Sequence, residues 1–218
     1  DSSSDVINYF DDNEVQTGLG KIYLGNAFIS VGKRDIGINL IQEGYVDGRF
    51  GRVDEKNIIY KFKSFLTIEH HKKRISNLLW NKKYRTAQRL IKYVDKDHQK
   101  LYEARIGLIS FAGGVDELIS KVPKYLKDDP GLVHDRVNWR IKKKKFSSAL
   151  DLLTKINKTN SQDLERPDKF WKLKNYSIRK LIDERRFDEA YRLTINHGLK
   201  TNANIAEAEW MAGWISYS

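Results

Sequence analysis

A seven-residue pattern recurs along this chain: an aromatic residue, then Ala three positions later, then Leu after three more. It begins at Tyr84, Phe146 and Phe187, and a degenerate copy with Gly in place of Ala begins at Arg34. Because residues three apart share one face of a helix, the pattern predicts a helix at each copy. A small central residue lets a neighbouring helix approach closely, and the aromatic residue closes the seam between paired helices.

Each full copy follows a second helix-like segment and a short polar turn. These preceding segments span about residues 68–80, 132–141 and 170–181. A helix, a short turn and a second helix form an antiparallel hairpin, which buries its apolar face by stacking on neighbouring hairpins. The sequence therefore predicts an all-α fold, a superhelical solenoid of antiparallel hairpins that resembles tetratricopeptide-type repeats.

Charge divides the chain into two sections. Residues 1–50 are acidic and residues 51–218 are basic, so the net charge of +11 arises from the second section. The glycine-rich stretch 44–51 is interpreted as a turn or short linker between an N-terminal helical section and the basic helical region. The run 58–62 is the most strand-like in the sequence, and it can equally continue a helix.

Composition excludes several classes of protein. The absence of Cys excludes disulfide scaffolds, thiolate zinc sites, iron–sulfur clusters and cysteine nucleophiles. The longest apolar runs are far shorter than the ~20 residues that a membrane-spanning helix needs, so no transmembrane segment is expected.

Residue pairs that could carry metal or acid–base chemistry have the wrong spacing for it. His70 and His71 are adjacent and would point ~100° apart on a helix, whereas ligand pairs on one face are three or four residues apart. Asp128 and Asp129 directly precede Pro130, where a helix-capping role is simpler than catalysis. We expect no metal site and no cofactor.

Two carboxylates near the end of the chain lie beside tryptophans. Glu207 and Glu209 could act as glycosidase acids next to the aromatic platforms of Trp210 and Trp214. Residues two apart diverge on a helix, so packing between helices is the preferred interpretation. We therefore expect no catalytic residue in this chain.

The densest basic cluster consists of Lys142, Lys143, Lys144 and Lys145. Such a cluster can attract nucleic acid, an anionic membrane surface or an acidic polymer, or it can be an ordinary solvated surface. No zinc-finger spacing or RNA-binding signature is present, so a specific nucleic-acid partner is not expected. These four lysines are the candidate substrate-binding residues.

Several segments carry a family likeness. The stretches 112–119, 126–132, 190–193 and 197–199, and most specifically Ala206 to Trp214, resemble the α-superhelical region of soluble lytic murein transglycosylases. The likeness is close from about residue 65 to residue 218 and weaker before it. The aromatic, Ala and Leu pattern alone would fit many helical repeats.

The resemblance implies a periplasmic enzyme of the bacterial cell wall. In that family a curved helical region supports a separate lysozyme-like domain near the C-terminus. That domain cleaves the N-acetylmuramic acid to N-acetylglucosamine linkage of peptidoglycan without water and leaves a 1,6-anhydro end. Its catalytic Glu is followed by Ser, and this sequence contains no Glu-Ser dipeptide.

The expectation is therefore a non-catalytic scaffold, cut before the catalytic domain and inactive alone. It would support and position glycan strands, with peptidoglycan and the C-terminal catalytic domain of its parent protein as partners. The alternative is a helical-repeat adaptor that binds another protein.

Overall fold

The computed structural model describes residues 2–11, 13–158, 165–200 and 202–217, leaving aside the side chains of residues 157, 158 and 202. These residues form helices and connections, with no strand among them. The all-α prediction is confirmed. The described α-helices are α1 (Ser3–Asp11), α2 (Gly18–Ser30), α3 (Arg34–Asp47), α4 (Arg52–Lys61), α5 (Ile68–Trp80), α6 (Tyr84–Leu90), α7 (Lys96–Ser110), α8 (Val115–Ser120), α9 (Pro130–Lys142), α10 (Phe146–Lys158), α11 (Pro167–Asp183), α12 (Phe187–Ile195) and α13 (Asn202–Ser216).

The chain divides into two compact units. Ile106 ends the first unit and Gly107 begins the second, so the division falls within α7. The charge boundary near residue 50 lies in the connection between α3 and α4.

Every copy of the repeated pattern begins the second helix of a hairpin. In the first unit α2 packs on α3 and α5 on α6, and in the second unit α9 packs on α10 and α11 on α12. The central residues Ala87, Ala149 and Ala190 are completely buried, as the need for close helix approach predicts. Phe146 is buried, whereas Tyr84 and Phe187 are only partly buried.

Neighbouring hairpins of the second unit meet through equivalent helices. The first helices α9 and α11 contact each other, and so do the second helices α10 and α12. In the first unit α3 contacts α5. Each hairpin thus covers an apolar face of its neighbour.

The degenerate copy at Arg34 forms the closest helix pair. Gly37 stands where the other copies have Ala, and it faces Gly25 of α2 across the hairpin. A Cβ atom on Gly25 would lie 2.6 Å from the carbonyl oxygen of Gly37, and a Cβ on Gly37 would collide with the carbonyl oxygen of Gly25. Gly18 and Gly44 repeat this contact one heptad away, so the two backbones touch along the hairpin.

The glycine-rich stretch corrects part of the sequence interpretation. Gly44 is a buried residue of α3, which continues to Asp47, so only residues 48–51 form a connection. The interpretation of Gly44 as the start of a turn is wrong, because this glycine serves contact with α2 rather than chain reversal. The run 58–62 continues helix α4 and ends at its C-cap, Phe62.

Candidate functional site

The turns of the four hairpins share one backbone geometry. Each contains a residue in the left-handed region, with φ values of 85° at Gly32, 58° at Lys82, 59° at Lys144 and 58° at Arg185. The N–H of the following residue donates to the carbonyl five positions earlier, as in the bond from Lys145 to Arg140 at 2.8 Å. This pattern is the Schellman motif, which satisfies the last carbonyl groups of the first helix.

The side chains at these turns are basic. The residue after the left-handed position is Lys33, Lys83, Lys145 or Arg186 in the four hairpins. Three of the left-handed positions themselves hold Lys or Arg, although Gly would adopt that conformation without steric cost. Lys and Arg adopt the left-handed conformation only at a steric cost. A positive charge near the carbonyl end of the first helix is favourable, and this interaction offsets part of that steric cost.

The four candidate lysines form the turn between α9 and α10. Lys142 ends α9, and Lys143, Lys144 and Lys145 lead directly into Phe146. All four side chains are exposed, and none makes an ion pair with any residue that the structure describes. The turn therefore carries four adjacent positive charges without a compensating carboxylate in the described chain.

Trp139 organises part of this cluster. The Nζ atoms of Lys145 and Lys143 lie 5.2 Å and 6.0 Å from the centroid of the Trp139 ring. From the neighbouring hairpin, Lys180 Nζ lies 4.2 Å from the centroid of Phe146. Lys180 is also ion-paired with Glu184 at 3.9 Å, so it adds an aromatic contact to the cluster rather than a fifth uncompensated charge.

The equivalent turn between α11 and α12 is neutralised. Arg186 donates to the carboxylates of Glu184 at 3.0 Å and Glu189 at 2.7 Å. The hydrogen bond from Arg186 is the largest cause of the lowered pKa of Glu189. The lysine turn is consequently the stronger anion-attracting element of the second unit.

The segment that carries the family likeness lies on α13. Glu207 accepts hydrogen bonds from Trp171 Nε1 at 2.9 Å and from Asn175 at 2.7 Å, which ties α13 to α11. The hydrogen bond from Trp171 is the largest cause of the lowered pKa of Glu207. The packing interpretation of Glu207 is confirmed.

The two tryptophans of that segment are exposed. Trp210 is 68% exposed and Trp214 is 46% exposed. Both indole rings are therefore largely accessible at the surface of the second unit.

The two adjacent histidines of α5 serve the fold. His70 Nδ1 accepts from the Thr67 backbone N–H at 3.1 Å as part of a capping box. His71 Nδ1 lies 2.7 Å from the Tyr45 hydroxyl, and its ring stacks on Tyr93. Burial lowers the pKa of His71. Asp129, also considered for chemistry, caps α9 by accepting from the Leu132 N–H at 2.8 Å.

A second basic site, in the first unit, was not anticipated from the sequence. Arg52 and Lys56 of α4, Arg89 of α6 and Lys92 of the following 3-10 turn line a cleft of about 410 Å³. Glu55 lies at its base. These residues come from three elements, so no local motif could have revealed the cleft; only the four-residue spacing of Arg52 and Lys56 was visible.

A buried ion-pair network closes the base of this cleft. Glu55 is 3% exposed, and its Oε1 accepts from Arg74 Nη2 at 2.8 Å while its Oε2 accepts from Arg89 Nη2 at 3.1 Å. Arg74 also donates to the carbonyls of Tyr45 and Gly48. Both oxygens of Glu55 are therefore occupied by arginines of the fold.

The fold and sites define an all-α protein of basic helical hairpins. No known protein family, curated protein or solved structure matches the chain. Within the described residues no group of three or more His, Asp or Glu side chains has a metal-binding arrangement. Over the same ranges no helix has the length and apolar character needed to cross a bilayer.

Proposed function

We propose that this chain is the non-catalytic helical region of a peptidoglycan lytic transglycosylase that works in the periplasm. It supports glycan strands and positions them for a lysozyme-like catalytic domain. In this proposal the stacked hairpins belong to a superhelical solenoid. The family resemblance of residues 206–214 and the hairpin repeat support it.

The observation that carries the proposal is the uncompensated lysine turn between α9 and α10. Peptidoglycan is a long polymer with carboxylates on its peptides, so a basic surface can hold it at many weak contacts. Lys142, Lys143, Lys144 and Lys145 are exposed and make no ion pair with a described residue. The aromatic faces of Trp139 and Phe146 orient the neighbouring ammonium groups.

Weak multipoint binding of this kind has a clear salt signature. The Debye length falls from about 30 Å at 0.01 M salt to about 8 Å at 0.15 M, so contacts between exposed charges weaken across this range. The chain should therefore sediment with isolated sacculi most strongly at low salt. The supernatant left after the sacculi have been sedimented should contain no 1,6-anhydro-muropeptides.

The decisive variant replaces the four turn lysines by Gln. A matched control replaces four other exposed lysines of the same unit, so that both variants lose the same net charge. The control positions are Lys124, Lys127, Lys172 and Lys200. We expect the turn variant to lose at least half of its sedimentation with sacculi and the control to lose much less.

The remaining outcomes each contradict a part of the proposal. An equal loss in both variants would mean that net charge, not the turn, attracts the polymer. Release of 1,6-anhydro ends by the pure chain would overturn the non-catalytic assignment. Absence of binding to sacculi at low salt would contradict the peptidoglycan proposal and favour an adaptor for another protein.

A further inference from the structure

The cleft of the first unit has an excess of positive charge. Among the described residues that line it, Glu55 is the only carboxylate, and the buried guanidinium of Arg74 behind it balances its charge. Arg52, Lys56 and Lys92 make no ion pair with a described residue. Three unpaired cations therefore line one cleft of about 410 Å³, together with Arg89.

This concentration of charge is unfavourable for the fold by itself. Arg52 and Lys56 are four residues apart on α4, where like charges repel each other. Arg52 is also the first residue of α4, where the helix dipole disfavours a cation. An anion in the cleft would relieve both effects.

The rest of the cleft wall is apolar and fixed in position. Ile59 and Leu90 are buried residues of the wall. Tyr93 is held by stacking on His71, with ring centroids 5.0 Å apart. Such a wall suits an organic group attached to the anion rather than an inorganic ion alone.

We propose that this cleft binds a phosphorylated small molecule. A phosphate monoester carries nearly two negative charges at pH 7 and three strong acceptor oxygens, so it can engage several cations at once. A single carboxylate would neutralise only one of them. The phosphate contacts Arg52, Lys56 and Lys92, and the organic group lies against Tyr93.

Arg89 has a separate role in this site. Its Nη2 binds Glu55 and its Nη1 donates to the Arg85 carbonyl, so the guanidinium is held at the cleft edge. It is a positioning residue for the cleft wall, while the unpaired cations make the direct contacts.

Three probes distinguish the parts of the proposal. Phenyl phosphate carries both the phosphate and an apolar ring, inorganic phosphate lacks the ring, and benzoate lacks the second charge. Titration of the full chain at low salt, followed by ¹H–¹⁵N NMR, should give the tightest binding for phenyl phosphate. The shifted amide signals should belong to α4, α6 and the 3-10 turn.

A variant pair tests the residues. Replacing both Lys56 and Lys92 by Gln should weaken phenyl phosphate binding at least about tenfold, because each removes a charge-assisted hydrogen bond. Replacing both Lys82 and Lys83 by Gln, at a turn of the same unit, should change binding less than twofold. All four side chains are exposed, so neither variant should alter the circular dichroism spectrum.

The opposing results are equally definite. No binding of phenyl phosphate at low salt would overturn the proposal. Benzoate binding as tight as phenyl phosphate would overturn the assignment of a phosphate ligand. An equal loss of phenyl phosphate affinity in the two variants would mean that the net positive charge of the chain, and not the cleft, attracts the ligand. These outcomes are separate from the sacculus experiment, which depends on lysines of the second unit.

Discussion

The two units bury a cation in contrasting ways. In the first unit Arg74 is 1% exposed and donates to Glu55 and to two backbone carbonyls, between the rings of Tyr45 and Phe50. In the second unit Lys174 is completely buried and donates to the carbonyl of Asn196, with no carboxylate among the described residues to pair with. Burial accordingly lowers the pKa of Lys174 to about 8.

The comparison shows that a buried positive charge can stabilise or destabilise a fold, depending on the groups that it is paired with. A buried guanidinium with a carboxylate and aligned carbonyls fixes the meeting of α3, α4 and α5. A buried ammonium with one neutral acceptor must give up hydration without an opposite charge in return. The first unit therefore depends on the charge of Arg74, while the second would be more stable without the charge of Lys174.

The largest expected effect comes from removing the partner of Arg74. Glu55→Gln leaves a buried guanidinium without its counter-charge, so we expect a loss of about 4 kcal/mol in the free energy of unfolding. Urea denaturation followed by circular dichroism measures it. As a control, Glu43→Gln removes the exposed pair with Lys21 and should cost less than about 1 kcal/mol. A loss below 1 kcal/mol for Glu55→Gln would contradict the dependence on this pair.

The next effect concerns helix contact, which also differs between the units. Gly37→Ala should cost about 3 kcal/mol, because the added methyl group must separate α2 from α3. The equivalent position in the second unit is Ala149, where a Cβ is already accommodated. Gly213→Ala, with no atom near the added Cβ, should instead stabilise by about 0.5–1 kcal/mol. Similar results for the two glycine variants would contradict a backbone-to-backbone contact in α2 and α3.

Replacing the buried cation of the second unit, Lys174, should stabilise that unit. Lys174→Met keeps the volume and removes the buried charge, so we expect a gain of about 2 kcal/mol at pH 7. Lys172→Met, on the exposed side of α11, should change stability by less than about 0.5 kcal/mol. A destabilised Lys174→Met variant would mean that the ammonium is better satisfied than its single acceptor indicates.

The pH dependence of this gain follows from the lowered pKa. Between the folded pKa of about 8 and the ordinary lysine pKa of 10.5, the folded chain binds fewer protons at Lys174 than the unfolded chain does. Stability from this group therefore rises with pH across that window and is constant below it. The advantage of Lys174→Met should shrink between pH 8 and pH 10. If the stability gain of Lys174→Met stays constant across this pH range, the gain comes from packing and not from removal of the charge.

The smallest effect concerns the turns. The first unit uses Gly32 at one left-handed position, whereas the second uses Lys144 and Arg185. Lys144→Gly should stabilise by about 0.5–1 kcal/mol, because Gly adopts positive φ without steric cost. The same variant should bind sacculi less strongly at low salt, since it loses one charge of the lysine turn. If Lys144→Gly is more stable but binds sacculi as strongly as the unmodified chain, Lys144 does not contribute to peptidoglycan binding.

Much of the fold was accessible from local sequence. The pattern starting at Tyr84, Phe146 and Phe187 predicted hairpins, because helix periodicity and turn polarity are set by neighbouring residues. The same local information located the lysine turn and the Asp129 cap. It also recognised the degenerate copy at Arg34, although it gave no indication that Gly25 would face Gly37.

Other features were decided only by tertiary structure. Glu55, Arg74 and Arg89 are separated by 19 and 15 positions in the sequence, and only the packing of α4, α5 and α6 brings them together. The phosphate-binding cleft is defined by the same packing. The exposure of Trp210 and the burial of Lys174 likewise depend on which helix covers each face. Sequence alone determined the helices, their turns and the charge at the turns, since these follow from residues within a few positions of each other. Which faces meet, and hence which charges are buried or left open to a ligand, depends on contacts between residues far apart in the chain.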